Sequence, residues 1–444
     1  MRLSQLGPQF TPHQTAPAIE YVDAYWRQLE RLHPRDEGTL VGVPRPYFVP
    51  SAANVSGFAF EELYYWDTYF IARGLIGTSR ERLVKGLADD LISLMKRYHM
   101  IPNAGRTYFT SRSQPPFLTS LILEVYALEG DKRWLEHAMD VAKDEYRTVW
   151  MGTNQPNWRQ VFNGLSRYYD INVLDDLAEA ESGWDMTTRF NRECLSYIPV
   201  DLNALLYKYE ADFAAAALVL GEPEEAREWK KRAARRKAMM RKYLWNEDKG
   251  YYFDYNFMTG RQSEIWSLAG FYPMWAGMDS QNTAARVYEH LDRFEAPGGL
   301  TTTAKQRLPH STFPTQWAYP NGWAPLQLIV TEGLERSGYH TAAERLARKW
   351  LRSNLTKFEQ GGQFYEKYNV IDPTGEPSPG VYPAQVGFGW TNAVFSQLVR
   401  RYLRPEEYPV TRHTPAARLR AFVWPNKSFI PIPTLKLIAK RVKT

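Results

Sequence analysis

TSRERLVKGLADDLISLMKRY (78–98) carries Leu83, Leu87, Leu91, Leu94, Met95 and Tyr98 on one helical face, with the first four at i, i+4, i+8 and i+11. Thr78 and Glu81 form a T-x-x-E pattern at its start, where side chains can satisfy free backbone N–H groups. Thr341 and Glu344 repeat the pattern before a segment bearing Leu346, Trp350 and Leu351. The same periodicity predicts helices over 17–32, 117–129, 134–148, 202–220, 223–244, 280–293, 324–337 and 390–402. Gly- and Pro-containing loops such as LGEP, APGGL and DPTGEPSPG separate them. Only short stretches such as GYYFDYN (250–256) read as strands, in hairpins. The fold class is mostly α. Helix pairs stacked around a ring, an (α/α) toroid, would gather the polar-aromatic loops into one cleft; an α-solenoid is the alternative.

Composition excludes several functions. The chain has 444 residues, enough for a sizeable core, and a net charge of +6. Its basic residues are scattered along helical stretches such as 226–243 and gather at the C-terminus, without a nucleic-acid motif. No Gly-rich phosphate loop follows a strand. Cys194 is the single cysteine, so an intrachain disulfide and a thiol zinc site are excluded. The 8 histidines do not cluster at metal-ligand spacing, and neither a metal nor a cofactor is expected. The N-terminus lacks the apolar core of a secretory signal, and no run approaches the roughly 18 apolar residues of a membrane span. The cytoplasm is therefore the expected location. The apolar, then basic, tail 429–444 reads as a docked or frayed terminus rather than a lipid anchor.

Aromatics make up 14% of the chain, with 15 Trp and 28 Tyr, many in polar company; this suits a carbohydrate cleft, where rings stack on sugar faces. ESGWDMTTRF (181–190) sets Glu181 and Asp185 around Gly-Trp, with Arg189 four residues on. A carboxylate beside an indole such as Trp184 can be partly desolvated, which raises its pKa toward that of a general acid. FEELYYWDTYF (60–70) brings Phe60, Tyr64, Trp66 and Asp67; IPNAGRTYFTSRSQPPF (101–117) brings Asn103, Arg112 and Gln114. QWAYPNGWAP (316–325) supplies Gln316, Trp317, Asn321 and Trp323, and FYEKYNV (364–370) supplies Glu366. Gln385 and GFGWTN (387–392), with Trp390, follow. All of these read as connecting segments. Planar donors and acceptors for hydroxyls, with rings for apolar faces, are what a sugar requires.

Taken in order, YYWDTYF, SRSQPPF, ESGWD, PVDLNALLY, QWAYPNGWAPLQ, EKYNV and GFGWTN resemble the trehalase family of glycoside hydrolases, over about 44–403. The resemblance implies an (α/α)6 barrel forming a single large catalytic domain (44–403). A helical extension (1–43) would pack on the barrel, and a basic extension (404–444) would follow it. It also implies metal-free hydrolysis of an α-glucosidic bond with inversion, Asp185 being the general acid and Glu366 the general base. An inverting enzyme needs a protonated carboxyl on the leaving oxygen and an ionised one activating water, roughly 6.5–9.5 Å apart. Lys367 and Tyr368 beside Glu366 suit the ionised partner.

The departures bear on specificity. Ala59 and Glu61 stand where the family has arginines, Ala318 where it has aspartate, and Val381 where it has a substrate-binding glutamate. INVLDDLAEA (171–180) replaces an Arg-Pro-Glu segment. Trehalose, cleaved to two glucoses, is the first expected substrate. Another α-glucoside with a smaller or less polar aglycone, of the glucosylglycerol or glucosylglycerate kind, is the second. A catalytically weak sugar-binding protein is the third. The expected partner is a small carbohydrate, with no nucleic acid or membrane.

Overall fold

PEEAREWKKRAARRKAMMRKY forms a 21-residue helix whose buried residues are Ala226, Trp229, Ala233, Arg236 and Met240, one stripe at three- and four-residue steps. The preceding helix, VDLNALLYKYEADFAAAALVL, is buried nearly all round. Their pairing typifies the molecule: one helix buried on every side, one with a single apolar stripe. A computed structural model describes residues 7–53, 59–306, 314–380 and 382–403.

Among these residues there are thirteen α-helices: α1 (Pro12–Leu29), α2 (Tyr65–Leu75), α3 (Val84–Tyr98), α4 (Leu118–Glu129), α5 (Lys132–Glu145), α6 (Asp175–Glu181), α7 (Val200–Leu220), α8 (Pro223–Tyr243), α9 (Tyr272–Trp275), α10 (Gln281–Tyr288), α11 (Ala324–Arg336), α12 (His340–Gly361) and α13 (Gly389–Tyr402). Six of them touch in sequence: α2 on α4, α4 on α7, α7 on α9, α9 on α11, α11 on α13, and α13 back on α2. Outside them α3 packs on α2 and α4, α5 on α4 and α7, α8 on α7, α12 on α11 and α13, and α1 on α12 and α13. One hydrophobic cluster runs through all of these, from Ala18 to Val399. Strands are two or three residues long; within the expected strand region 250–256, Tyr251–Tyr252 pairs antiparallel with Trp245–Asn246, and Tyr255–Asn256 with Tyr197–Ile198 and Arg261–Gln262. No helix among the described residues is long and apolar enough to cross a membrane.

Two expectations need correction. The segment 60–70, read as a connection, enters α2 at Tyr65, and every residue of α2 is buried. At 11 residues and with no polar face, it has too few turns to show a period, whereas the 21-residue α7, almost as buried, is expected as a helix. The second T-x-x-E pattern is not a cap: α12 begins at His340, ahead of Thr341, and Glu344 accepts from Arg348 instead. At the first, Glu81 Oε2 accepts the Gly77 N–H at 2.7 Å and Thr78 Oγ1 the Arg80 N–H at 3.2 Å, before the short turn that leads into α3. The basic tail 404–444 lies outside the described residues.

A buried ion network fixes the start of α7. Arg189 donates to Asp201, in the first turn of α7, at 2.7 Å and to Asp254 at 2.9 Å, all three side chains being at most 2% exposed. Asp254 also accepts the Val200 N–H at 2.9 Å. Replacing Arg189 with Met leaves two buried carboxylates without their cation, and should cost ~3–5 kcal/mol of stability. A urea-unfolding midpoint equal to that of the parent would show the network to be dispensable.

Candidate active site

The carboxyl of Asp185 is placed by its neighbours in the chain. After α6 ends at Glu181, Gly183 adopts φ +72°, and a Cβ there would lie 2.7 Å from Cζ2 of Trp66; only glycine passes that ring. Trp184 then turns into the core, fully buried. The next peptides are tied to another loop: Gln316 Nε2 donates to the Asp185 carbonyl at 2.7 Å, and the Trp317 N–H to that of Met186 at 3.0 Å. From there strand Asn321–Trp323 pairs antiparallel with Lys367–Asn369, setting Trp323 opposite Lys367. That register brings Glu366 to the same place. Its N–H donates to the Gln385 carbonyl at 3.0 Å.

Three carboxyls feel one another's charge here. Asp185 keeps part of its surface open, but the surrounding protein removes most of its hydration and pushes it up to about 7; Glu366 pushes further, while Arg112 and Lys367 pull back. Asp67, 3% exposed, is raised well above the usual carboxylate range, first by burial and then by Glu366 and Asp185. Glu366 is fully buried and doubly held. Lys367 Nζ donates to its Oε2 at 2.8 Å, and Tyr382 Oη to its Oε1 at 2.6 Å. Tyr368, the expected neighbour, instead accepts the Tyr365 N–H at 3.0 Å. The sequence reading missed Tyr382; the aromatic next to altered position 381 was the available signal.

The other candidates divide between two tasks. Trp66, Trp184, Trp317, Trp323 and Trp390, all at most 4% exposed, pack on one another. Trp317 lies 3.8 Å from Trp323, nearly parallel, and 5.6 Å from Trp66; Trp184 stacks on Trp317 at 5.8 Å. They form a solid floor around the carboxyls. Gln114 Oε1 accepts the Trp66 N–H at 3.1 Å, filling a free donor in the first turn of α2. Asn103 spends its amide on the carbonyls of Ser113 and Ala180. Tyr64 donates to Glu62 at 2.8 Å, and Phe60 meets Tyr64 and Tyr382 edge-on. Arg112 pairs with Asp170 at 3.1 Å. Asp67 Oδ1, Arg112 Nε and Gln385 Oε1 are buried without a hydrogen bond to the described protein.

Glu181, the other carboxylate of ESGWD, is not part of this group. It is buried against Arg159, and its two oxygens accept the N–H groups of Ser113 and Tyr169, each at 2.7 Å. It therefore anchors the segment that carries Arg112 and Gln114. At the altered positions, Glu61 pairs with Arg31 at 3.1 Å and Ala318 is buried, while Val381 lies outside the described residues. In 171–180, Ile171, Val173 and Leu174 are 51–56% exposed, and Val173 holds a left-handed φ of +56°, rare for a β-branched residue. A recess of about 230 Å³ lined by Lys367, Ser378, Gly380 and Tyr382 adjoins the Glu366 side. Among the described residues no group of three or more His, Cys, Asp or Glu could hold a metal ion.

The trehalase family model matches residues 7–181 and 174–403. The fold is similar to neutral trehalase Nth1 from Saccharomyces cerevisiae, with a TM-score of 0.70 and 29% identity, covering 92% of this chain and 81% of that one. It also resembles the GH63 mannosylglycerate hydrolase from Thermus thermophilus in complex with glucose, at TM-score 0.65 and 18% identity, over 86% of this chain and all of that one. A GH78 family rhamnosidase of Bacillus sp. GL1 shares the fold at TM-score 0.59 and 15% identity, over 89% of this chain and 36% of that one. With its ordered motifs and a family match running from residue 7 to residue 403, this chain belongs to the trehalase family and is a glycoside hydrolase.

Proposed function

We propose that the protein hydrolyses an α-glucosidic bond with inversion, with Asp185 as general acid, Glu366 as general base and trehalose as the first substrate. The closed circuit of contacts among α2, α4, α7, α9, α11 and α13, with further helices packed outside, supports an (α/α)6 barrel. The catalytic residues then sit where α2, α11 and α13 begin.

The observation that carries the chemistry is the asymmetry between two nearby carboxyls. Asp185, pushed up to about 7, holds a proton near neutrality and can deliver it to the leaving oxygen. Glu366 faces an ammonium and a hydroxyl, both donors, and is furnished to act as the acceptor. The orphaned polar atoms of Asp67, Arg112 and Gln385 support a polyhydroxylated ligand, since buried polar groups ordinarily find partners. Phe60, Tyr64, Trp66, Asp67, Asn103, Arg112, Gln114, Trp184, Gln316, Trp317, Trp323 and Trp390 would shape its site. The tryptophans act as packed floor, the polar groups as contacts.

One observation favours a second reading of the aglycone. The exposed apolar turn of Ile171, Val173 and Leu174 is joined to the site through Asp170, which holds Arg112, and through the Ile171 N–H on the Ser111 carbonyl at 3.2 Å. An apolar edge there suits an α-glucoside with a less polar aglycone.

Proton NMR of fresh reactions with trehalose and a panel of other α-glucosides tests both points. β-Glucose should appear first from every substrate cleaved, and α-glucose first would refute inversion. Trehalose should give the highest kcat/KM; a glucoside with an apolar aglycone outpacing it would select the second reading.

Asp185→Asn and Glu366→Gln should each lower kcat by at least ~10²-fold, the scale of general acid–base catalysis. Near-parental turnover in either folded variant removes that residue from its role. Because Asp185 must carry its proton, kcat/KM should fall as pH rises through about 7. A plateau continuing well above that pH would exclude Asp185 as the acid.

A further inference from the structure

We propose that Tyr382 is a positioning residue for Glu366: its hydroxyl, acting with the Lys367 ammonium, holds the carboxylate turned toward the attacking water. The inference rests on Glu366 being the base.

Each carboxylate oxygen of Glu366 takes one donor, Tyr382 Oη at 2.6 Å on Oε1 and Lys367 Nζ at 2.8 Å on Oε2. A carboxylate has about four acceptor positions, so one donor per oxygen leaves capacity for a proton from water. The terminal torsion of a glutamate is otherwise broad. The two donors, approaching different oxygens, set that torsion.

Both donors are themselves held. Lys367 is fixed by its strand pairing with Trp323, and its Nζ lies 5.1 Å from the Trp323 ring and 5.6 Å from that of Tyr382. A cation over two aromatic faces is confined without losing a hydrogen-bond donor. The Tyr382 ring meets Phe60 edge-on at 6.1 Å. Behind the carboxylate, the Glu366 carbonyl accepts from Trp390 Nε1 at 3.4 Å. Burial first, and then the charge of Glu366, raise the Tyr382 phenol well above its ordinary range, so it remains a donor at working pH. A base held this way attacks through a narrow set of water geometries, and small misplacements cost rate.

Tyr382→Phe deletes the hydroxyl and keeps the ring. The expected result is kcat lower by ~10-fold with KM nearly unchanged. The ascending limb of the kcat/KM–pH profile should move up by about half a unit or more, because the ionised base has lost a donor. Tyr382→His, which retains a ring N–H, should recover part of the lost kcat. Circular dichroism and thermal melting identify the folded variants. Parental kcat with an unmoved limb in Tyr382→Phe overturns the inference, as does equal impairment of the Phe and His variants. Glu366→Gln separates the two levels. If it keeps parental turnover, the base assignment falls and takes the inference with it. If it is inactive while Tyr382→Phe behaves as the parent, only the positioning role falls.

Discussion

The Arg189 guanidinium joins pieces of chain that are far apart in sequence. It bonds Asp201 in the first turn of α7 and Asp254 beyond the hairpin after α8, and it lies 4.3 Å from the centre of the Trp184 ring. Water reaches none of these groups, so each carboxylate depends on that cation and the cation on both. The planar fork of arginine can serve two carboxylates and an aromatic face together, which a lysine ammonium cannot do. Trp184 is thereby fixed from one side, and Asp185 follows it in the chain.

From Trp184 the constraint passes through rings. Trp184 stacks on Trp317, Trp317 on Trp323, and Trp390 closes edge-on against Trp323 at 5.9 Å. Close-packed aromatics resist displacement, because any shift opens a gap that forfeits dispersion contact. Asp185, the strand that follows Glu366 and the start of α13 are thus mounted on one packed aromatic cluster. Such a floor also keeps bulk water from beneath the carboxyls, which accounts for the raised Asp185 and Asp67. Glu181 with Arg159 does the same work at a second anchor, pinning the backbone at Ser113 and Tyr169.

Helices with one wet face were legible in the sequence. The stripes of α3 and α8 follow from periodicity, and the ends fall within a few residues of the expected bounds. α2, α6 and α9 were not legible: α2 reads as a connection for its clustered Tyr, Trp and Asp, although the almost as buried but longer α7 is expected, and α6 and α9 are only seven and four residues long. The same held in the site. Asp185, Glu366 and Asp67 stood out by their aromatic neighbours, and Lys367 by adjacency to Glu366. Tyr382, sixteen positions along the chain, could be joined to Glu366 only through space.

The sequence by itself determined the helical class and, through its ordered motifs, the family, because periodicity and motif order are local properties of a chain. Tertiary structure decided which carboxyls are locked in ion pairs and which stay open. Glu181 and Asp185, four residues apart, went to a buried ion pair and to an open carboxyl. Tryptophans available to face a sugar were stacked on one another instead. Hydration, charge and partner geometry set the behaviour of a carboxyl, and each depends on atoms brought together by folding rather than by the chain.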